Sequence, residues 1–348
     1  MQLRNSSIIA VDAMGGDQGP PVTIKAILRF LNEHSDVRIV FIGSKEACEL
    51  FSHVCTCPSI RARAEMMSCS AQVDDSEKPT VALRSKRDSS MAKAIELVAT
   101  GNAHACVSAG NTGTMMSFGM KILKRLPGIT RPAICALLPT LKRSTLALDL
   151  GANLECSAEQ LHQFARLGAL TAQCLYKIDH PSVTLLNIGL EPIKGSPLIR
   201  EAAERISQDE TINYCGFIEP NQMFLGNVDV IVCDGFSGNI ALKTSEGVAE
   251  MIAESYQRMH DKNWISRLGA FFFKRSISSL NKTINPAHHN GAFFVGLEGI
   301  MIKSHGAADT NSFVKALVTA KEVVDQNIFQ ALKSNFITEA AITTRSKV

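Results

Sequence analysis

No Gly-x-Gly occurs anywhere in these 348 residues, so the fingerprint by which a strand-to-helix turn takes a dinucleotide pyrophosphate is missing. No Gly-x-x-x-x-Gly-Lys-Ser/Thr occurs either, which removes the P-loop nucleotide hydrolases. Gly235-Phe236-Ser237-Gly238 falls one residue short of a Gly-x-Ser-x-Gly elbow, so Ser237 reads as an anion ligand or helix cap rather than a nucleophile. The nine histidines form no His-Glu-x-x-His and the ten cysteines no Cys-x-x-Cys, so no metal site is expected. Several cysteines, among them Cys106, Cys135 and Cys233, sit in apolar strand-like runs and read as reduced, structural thiols of a cytoplasmic protein. No apolar stretch approaches the roughly 20 residues that span a bilayer, and no signal-peptide pattern is expected at the start. A net charge of +3 is too mild to argue for nucleic acid.

What the chain does have is five apolar, β-rich runs that break straight into loops of Gly, Asn, Asp and Ser, at residues 8–17, 105–113, 146–153, 184–189 and 230–239. Continuous apolar runs suit strands buried on both faces, as in parallel sheets covered by helices. Ligands of such sheets bind outside the carboxyl ends of the strands, so the five loops are expected to meet at one edge. Backbone N–H groups and helix N-termini there favour an anion. Asp12, Asp149 and Asp234 end strands, where Asp closes turns on local N–H groups. The expected site is built of amides, carboxamides and hydroxyls with a few lysines, and it offers no covalent nucleophile.

Between the strands, residues 20–33, 91–100, 158–173 and 196–207 read as amphipathic helices, which predicts βαβ units in a three-layer α/β/α fold with a mostly parallel sheet. Pro20-Pro21 can open the first helix, and Ser157 with Gln160 has capping-box spacing. Residues 61–90 show little periodicity and read as an exposed excursion able to close over the sheet edge. Residues 258–282 carry six Lys or Arg against one acid, Asp261, beside the only tryptophan. On a helix Trp264, Leu268, Phe271 and Phe272 share one face, with Lys274 and Arg275 following, a pattern suited to a membrane surface, an acidic partner or a dimer contact. The expected organisation is an α/β core over 1–255, this basic aromatic segment over 256–290, and a return to the core with a C-terminal helix over 291–348.

The chain closely resembles the bacterial phosphate acyltransferases of phospholipid synthesis. The resemblance is carried by Val11-Asp12-Ala13-Met14-Gly15-Gly16-Asp17, Ser108-Ala109-Gly110-Asn111-Thr112-Gly113, Leu148-Asp149-Leu150-Gly151-Ala152-Asn153, Leu186-Asn187-Ile188-Gly189, Asp234-Gly235-Phe236-Ser237-Gly238-Asn239 and Ile302-Lys303-Ser304-His305-Gly306. These motifs run in order over nearly the whole chain. The resemblance implies a fold similar to the phosphate acetyltransferases and the isocitrate and isopropylmalate dehydrogenases, a homodimer, and no cofactor. It implies transfer of a long-chain fatty acyl group from acyl carrier protein to inorganic phosphate, giving acyl phosphate for the first step of phosphatidic acid synthesis. It also carries the family's functional residues onto Lys194 and Asn239. Pro192, Asp88 and the His288-His289 pair depart from the usual pattern, and Asp88 adds a negative charge to a basic loop.

On this reading phosphate, already anionic, attacks the thioester carbonyl without a general base. Ser108, Asn111 and Thr112 donate to phosphate oxygens, Lys194 neutralises the phosphate and the tetrahedral oxyanion, and Asn239 fixes the carbonyl or the phosphate. Asp12, Gly15, Gly16, Gly113, Asn153, Asn187, Gly235, Ser237, Gly238, Lys243 and His305 complete the expected binding set. Acyl carrier protein is small and acidic, which makes Arg84, Lys86, Arg87 and the 258–282 segment its expected docking surface. The same segment could rest on the inner face of the membrane and favour hand-over to a membrane glycerol-3-phosphate acyltransferase. Two other readings stay open: a phosphate acetyltransferase using a short-chain acyl coenzyme A, and a non-catalytic module that binds carrier protein or membrane.

Overall fold

The computed structural model describes residues 6–74, 76–261 and 290–345. Trp264, Leu268, Phe271, Phe272, Lys274, Arg275, His288 and His289 lie outside the described residues. Strands β1 (Ser7–Asp12), β2 (Val37–Gly43), β3 (Ala64–Ser68), β4 (Ala105–Ser108), β5 (Ala133–Leu138), β6 (Thr145–Leu148), β7 (Ser182–Leu186), β8 (Asn213–Ile218), β9 (Val230–Val232), β10 (Ala292–Val295) and β11 (Ile300–Lys303) form one sheet. Their order is β3-β2-β1-β4-β11-β10-β5-β6-β9-β7-β8. The described helices are α1 (Gly19–Glu33), α2 (Lys45–Val54), α3 (Pro58–Arg61), α4 (Pro79–Ser85), α5 (Ser90–Ala99), α6 (Thr112–Ile122), α7 (Ala158–Tyr176), α8 (Pro197–Ser207), α9 (Gly235–Asp261), α10 (Thr310–Asp325) and α11 (Ile328–Arg345).

Side chains alternate across a strand, and here both sets are buried. Ile9 and Val11 of β1 join a core with α1, α2, α7, α8, α10 and α11, while Ala10 faces a second core with α4, α5 and α6. Every residue of β4, β6 and β9 is buried. This is the three-layer α/β/α arrangement that uninterrupted apolar runs predict, and the four expected helices form as α1, α5, α7 and α8. Two prolines occupy the first turn of α1, where a missing N–H costs nothing. The capping box of α7 has both arms: Gln160 N–H donates to Ser157 Oγ at 3.2 Å, and Ser157 N–H donates to Gln160 Oε1 at 2.8 Å.

Two expectations need correction. Residues 61–90 are not only an excursion, since β3 extends the sheet beside β2 and α4 packs against α6. In β3 only Ala64 is buried, so an edge strand of this kind leaves no apolar run to announce it. The five Gly-rich loops also do not share an edge. β1, β4 and β11 run parallel, but the central pairings β11·β10, β10·β5 and β5·β6 are antiparallel, after which β6, β9, β7 and β8 run parallel again. Three reversals leave β6, β9 and β7 opposite to β1 and β4, so the loops after residues 12 and 108 lie at one edge and those after 148, 186 and 232 at the other. Buried hydrophobicity marks a strand but carries no sign for its direction.

The inner and outer strands should differ sharply in sensitivity. Phe41 of β2 is fully buried with its ring centroid 4.9 Å from that of Phe51, whereas Met66 of β3 is exposed. In denaturant unfolding, Phe41→Ala is expected to cost about 3–5 kcal/mol, and Met66→Ala no more than about 0.5 kcal/mol. Equal losses would contradict the placement of β3 at the rim.

Candidate active site

At the first edge the strand ends are tied together by Asp12. Its Oδ1 accepts from Ser90 Oγ at 2.6 Å, Met14 N–H at 3.1 Å and Gly15 N–H at 3.2 Å, and its Oδ2 accepts from Ser108 Oγ at 2.6 Å. Ser108 Oγ in turn accepts from Gly110 N–H at 3.1 Å. Ser108 therefore shapes the loop through its hydroxyl, and Ser90, in the excursion, is a partner the sequence motifs did not single out. Gly16 holds φ +85°, and a Cβ there would come within 2.9 Å of the Gly306 carbonyl oxygen. That tight seam is sealed by Asp17 N–H donating to Gly306 O at 2.9 Å, which docks the loop after β1 on the loop after β11. Asn111 caps α6 by accepting from Thr114 N–H at 3.0 Å. Thr112 and Gly113 are half-buried in the first turn of that helix, beside Pro79 of α4.

α4 leads outward from this rim to Arg84 and Arg87, which are exposed, and Lys86, which is half-buried. Asp88 does not cancel their charge. It pairs with Lys93 at 2.7 Å and accepts from Ser70 N–H at 2.8 Å, and these bonds, that to Lys93 foremost, hold its carboxyl well below the usual carboxylate range.

At the second edge Asp149 is the organiser. Its Oδ1 accepts from the N–H groups of Ile134, Gly151 and Ala152 at 3.0, 3.2 and 3.0 Å, and its Oδ2 accepts from the backbone and side-chain N–H of Asn153 at 2.7 and 2.8 Å. Asn153 also donates to Pro132 O at 2.8 Å and accepts from Arg131 Nε at 2.8 Å. Its carboxamide is thus committed to the scaffold. Asp234 caps α9, accepting from Ser237 N–H at 2.7 Å and Ser237 Oγ at 3.1 Å, so Ser237 is the capping partner rather than a nucleophile. The first turn of α9 sits hard on the Asp149 turn. Gly235 N–H donates to Asn153 O at 2.8 Å, and a Cβ on Gly238 would lie far inside van der Waals contact with Asp149 O. Asn239 then emerges exposed against Gly151, and its carboxamide has no hydrogen-bond partner among the described residues.

Lys194 lies at the same edge in the exposed loop after β7. Asn187 Nδ2 donates to Lys194 O at 3.2 Å, and Arg200 Nη1 donates to Gly195 O at 2.9 Å, which fixes the loop and leaves the ammonium outside. Asn187 therefore supports Lys194 rather than joining it.

The two edges are linked by α9. It leaves the second edge at residue 235, and its residue Lys243, one turn or about 6 Å past Asn239, places Nζ 3.2 Å from His305 Nε2 at the first edge. Lys243 also pairs with Glu246 at 2.8 Å. His305 Nδ1 accepts from Ala307 N–H at 3.2 Å, which puts the proton of the neutral ring on Nε2, facing the ammonium. Desolvation, with the Lys243 charge next, pushes the His305 pKa down and keeps the ring neutral at pH 7. Two proton donors therefore face one another, an arrangement that an anion accepting from both from the open side would relieve. Among the described residues no group of three or more His, Cys, Asp or Glu side chains is disposed to hold a metal, all ten cysteines are free, and no helix is long and apolar enough to cross a membrane. Burial pushes the Cys106, Cys135 and Cys233 thiols up, so they pack rather than react.

Burial also raises the Asp12 carboxyl above its ordinary value, against the opposing pull of the Ser108, Ser90, Met14 and Gly15 donors. A raised folded pKa contributes stability that is complete below the unfolded value of 3.8 and is lost as pH rises through the folded value. The stability of wild type relative to Asp12→Asn, followed by urea unfolding between pH 4 and 8, should therefore fall as pH rises. A wild-type advantage that grows with pH would mean the four donors outweigh desolvation.

Residues 8–331 match the family model described as fatty acid synthesis protein. The chain is 44% identical over 313 residues to the phosphate acyltransferase of Shewanella woodyi, covering 90% of this chain and 91% of that one. It is 43% identical over 326 residues to that of Coxiella burnetii, covering 93% and 95%. Among solved structures, the EutD phosphotransacetylase from Staphylococcus aureus superposes with a TM-score of 0.58 at 14% identity, over 92% of this chain and 94% of that one. A branched-chain phosphotransacylase from Enterococcus faecalis does so with 0.58 at 14%, over 91% and 99%. At such identity these two speak for the fold alone, a three-layer α/β/α fold shared with the phosphotransacetylases. The family match and the relatives above 40% identity settle kinship: the chain belongs to the fatty acid synthesis protein family and is an acyltransferase of it.

Proposed function

We propose that this enzyme transfers a long-chain fatty acyl group from acyl carrier protein to inorganic phosphate, giving an acyl phosphate. The observation that carries the reading is α9, which holds Asn239 at one sheet edge and, one turn on, Lys243 against His305 at the other. Asn239 and Lys194 take the acceptor phosphate and the developing oxyanion. Lys243, His305 and the first turn of α6, with Thr112, take the acyl donor. A spacing of one helical turn suits two reactants that must come within about 3–3.5 Å. Phosphate arrives ionised, so the enzyme supplies position and charge.

Exposed Phe236 and Ile240 flank Asn239 and suit a long acyl chain better than an acetyl group. Farther along α9 the exposed Val248 and Met251 continue the apolar stripe, and this part of it a second copy of the chain would cover, making a homodimer. Arg84, Lys86 and Arg87 offer the acidic carrier a basic rim beside α6. The basic aromatic segment around Trp264 and Phe272 is assigned to the membrane face, where the lipophilic product passes to a membrane glycerol-3-phosphate acyltransferase.

Release of free carrier protein from palmitoyl carrier protein should depend on phosphate, and Lys194→Ala or Asn239→Ala should each slow it about 10²- to 10³-fold. Equal slow release by wild type and both variants would leave only a binding module, and preference for acetyl coenzyme A would make it a short-chain enzyme. In liposome sedimentation, the double variant Trp264→Glu, Phe272→Glu should lose binding to anionic vesicles, and unchanged binding would move the membrane contact elsewhere.

A further inference from the structure

Arg131 lies outside every Gly-rich junction, yet it is built into the second edge. It precedes Pro132 at the mouth of β5, half-buried, with Nε donating to Asn153 Oδ1 at 2.8 Å. Asn153 is itself held by Asp149 and Pro132, so the guanidinium is anchored to the most tightly bonded turn of the site. Its two terminal nitrogens have neither a hydrogen-bond nor an ion-pair partner among the described residues. The carbonyl of the same Asn153 accepts from Gly235 N–H at 2.8 Å, so Arg131 is held on the turn against which α9 begins. The turn that carries Arg131 at Asn153 carries Asn239 at Gly151, two residues earlier. A structural arginine would spend its fork on a carboxylate or on carbonyls, as Arg63 does with the carbonyl oxygens of His34 and Leu31 at 2.7 and 2.6 Å. Arg131 instead keeps its fork open while its stem is fixed.

We propose that Arg131 is a phosphate-binding residue: its Nη1 and Nη2 take two oxygens of the acceptor phosphate, which Asn239 and Lys194 hold from the other sides. A guanidinium pinned through Nε presents two N–H groups in a rigid plane, the geometry that matches a tetrahedral oxyanion and that lysine cannot reproduce. The inference rests on phosphate being the acceptor, and the experiment separates the two claims.

Initial rates with palmitoyl carrier protein are measured against phosphate concentration for wild type, Arg131→Lys and Arg131→Gln, with thermal unfolding followed with and without phosphate. Arg131→Gln is expected to raise the KM for phosphate about 10- to 100-fold, the loss expected of charge-assisted hydrogen bonds, with the KM for the acyl donor within about 2-fold. Phosphate should raise the Tm of wild type and not that of Arg131→Gln. Arg131→Lys, which keeps the charge without the fork, should show a smaller rise in the same constant even if the Gln variant does not fold. An unchanged phosphate KM, both KM values moving together, or a lowered Tm alone would make Arg131 a prop for Asn153 and overturn the proposal while leaving phosphate as acceptor. Turnover by wild type without phosphate would overturn both.

Discussion

The Asp149 carboxylate accepts from five N–H groups, contributed by the mouth of β5 and by the turn that follows β6. Burial raises its pKa, and the N–H donors oppose that shift, so a costly buried group is tolerated because each of its oxygens has partners. What this secures is a rigid turn with both faces in use. One face presents Asn153 O to the first N–H of α9 and Asp149 O to the bare Cα of Gly238, so α9 can begin only in one place. The position of Asn239 follows from that seating, and one turn later so does the position of Lys243. Remove the turn and both edges lose their common reference.

Asp12 performs the corresponding task at the first edge, but with hydroxyls. Ser90 and Ser108 donate to it from two different elements, and the loop after β1 is thereby pinned to β4 and to the start of α5. The two aspartates end strands that run in opposite directions, and the reversal occurs where β10, β5 and β6 pair antiparallel. A purely parallel sheet would have placed both loops on one edge and left α9 crossing the face with nothing to join. With the reversal, a helix leaving one edge ends its second turn at the other.

Strand and helix positions were legible because burial on both faces and a 3.6-residue period leave direct marks on the residue order, as in β4 and α7. The edge strand β3 was not, since its exposed face resembles a loop in composition, and α4 is too short to show a period. The Gly-rich junctions correctly marked the loops that form the two edges. They did not reveal which polar side chains are spent: Ser108, Asn153, Asn187 and Ser237 are the residue types of an anion site, yet each is bonded to the scaffold. Exhaustion of a hydrogen-bonding group is a property of three-dimensional neighbours that spacing does not encode. Arg131 escaped for the complementary reason. A single arginine before a proline and an apolar strand carries no motif, and only the open fork beside Asn153 distinguishes it from a surface cation. The boundary expected near residue 255 falls inside α9, which continues unbroken to Asp261.

The pattern of spent groups bears on the chemistry. A general base must be able to take a proton from the attacking atom, which requires an accessible lone pair. The three aspartates at the strand ends are committed to the scaffold: Asp12, buried, to two hydroxyls and two N–H groups, Asp149, buried, to five N–H groups, and Asp234 to the N–H and hydroxyl of Ser237 in the first turn of α9. His305 offers Nε2 protonated, with Nδ1 engaged by Ala307. The groups left to meet a ligand can all donate, namely the Asn239 carboxamide, the ammonium groups of Lys194 and Lys243, the open fork of Arg131 and the hydroxyl of Thr112. A site rich in donors suits a nucleophile that is already deprotonated at neutral pH, a condition inorganic phosphate meets and water or an alcohol does not.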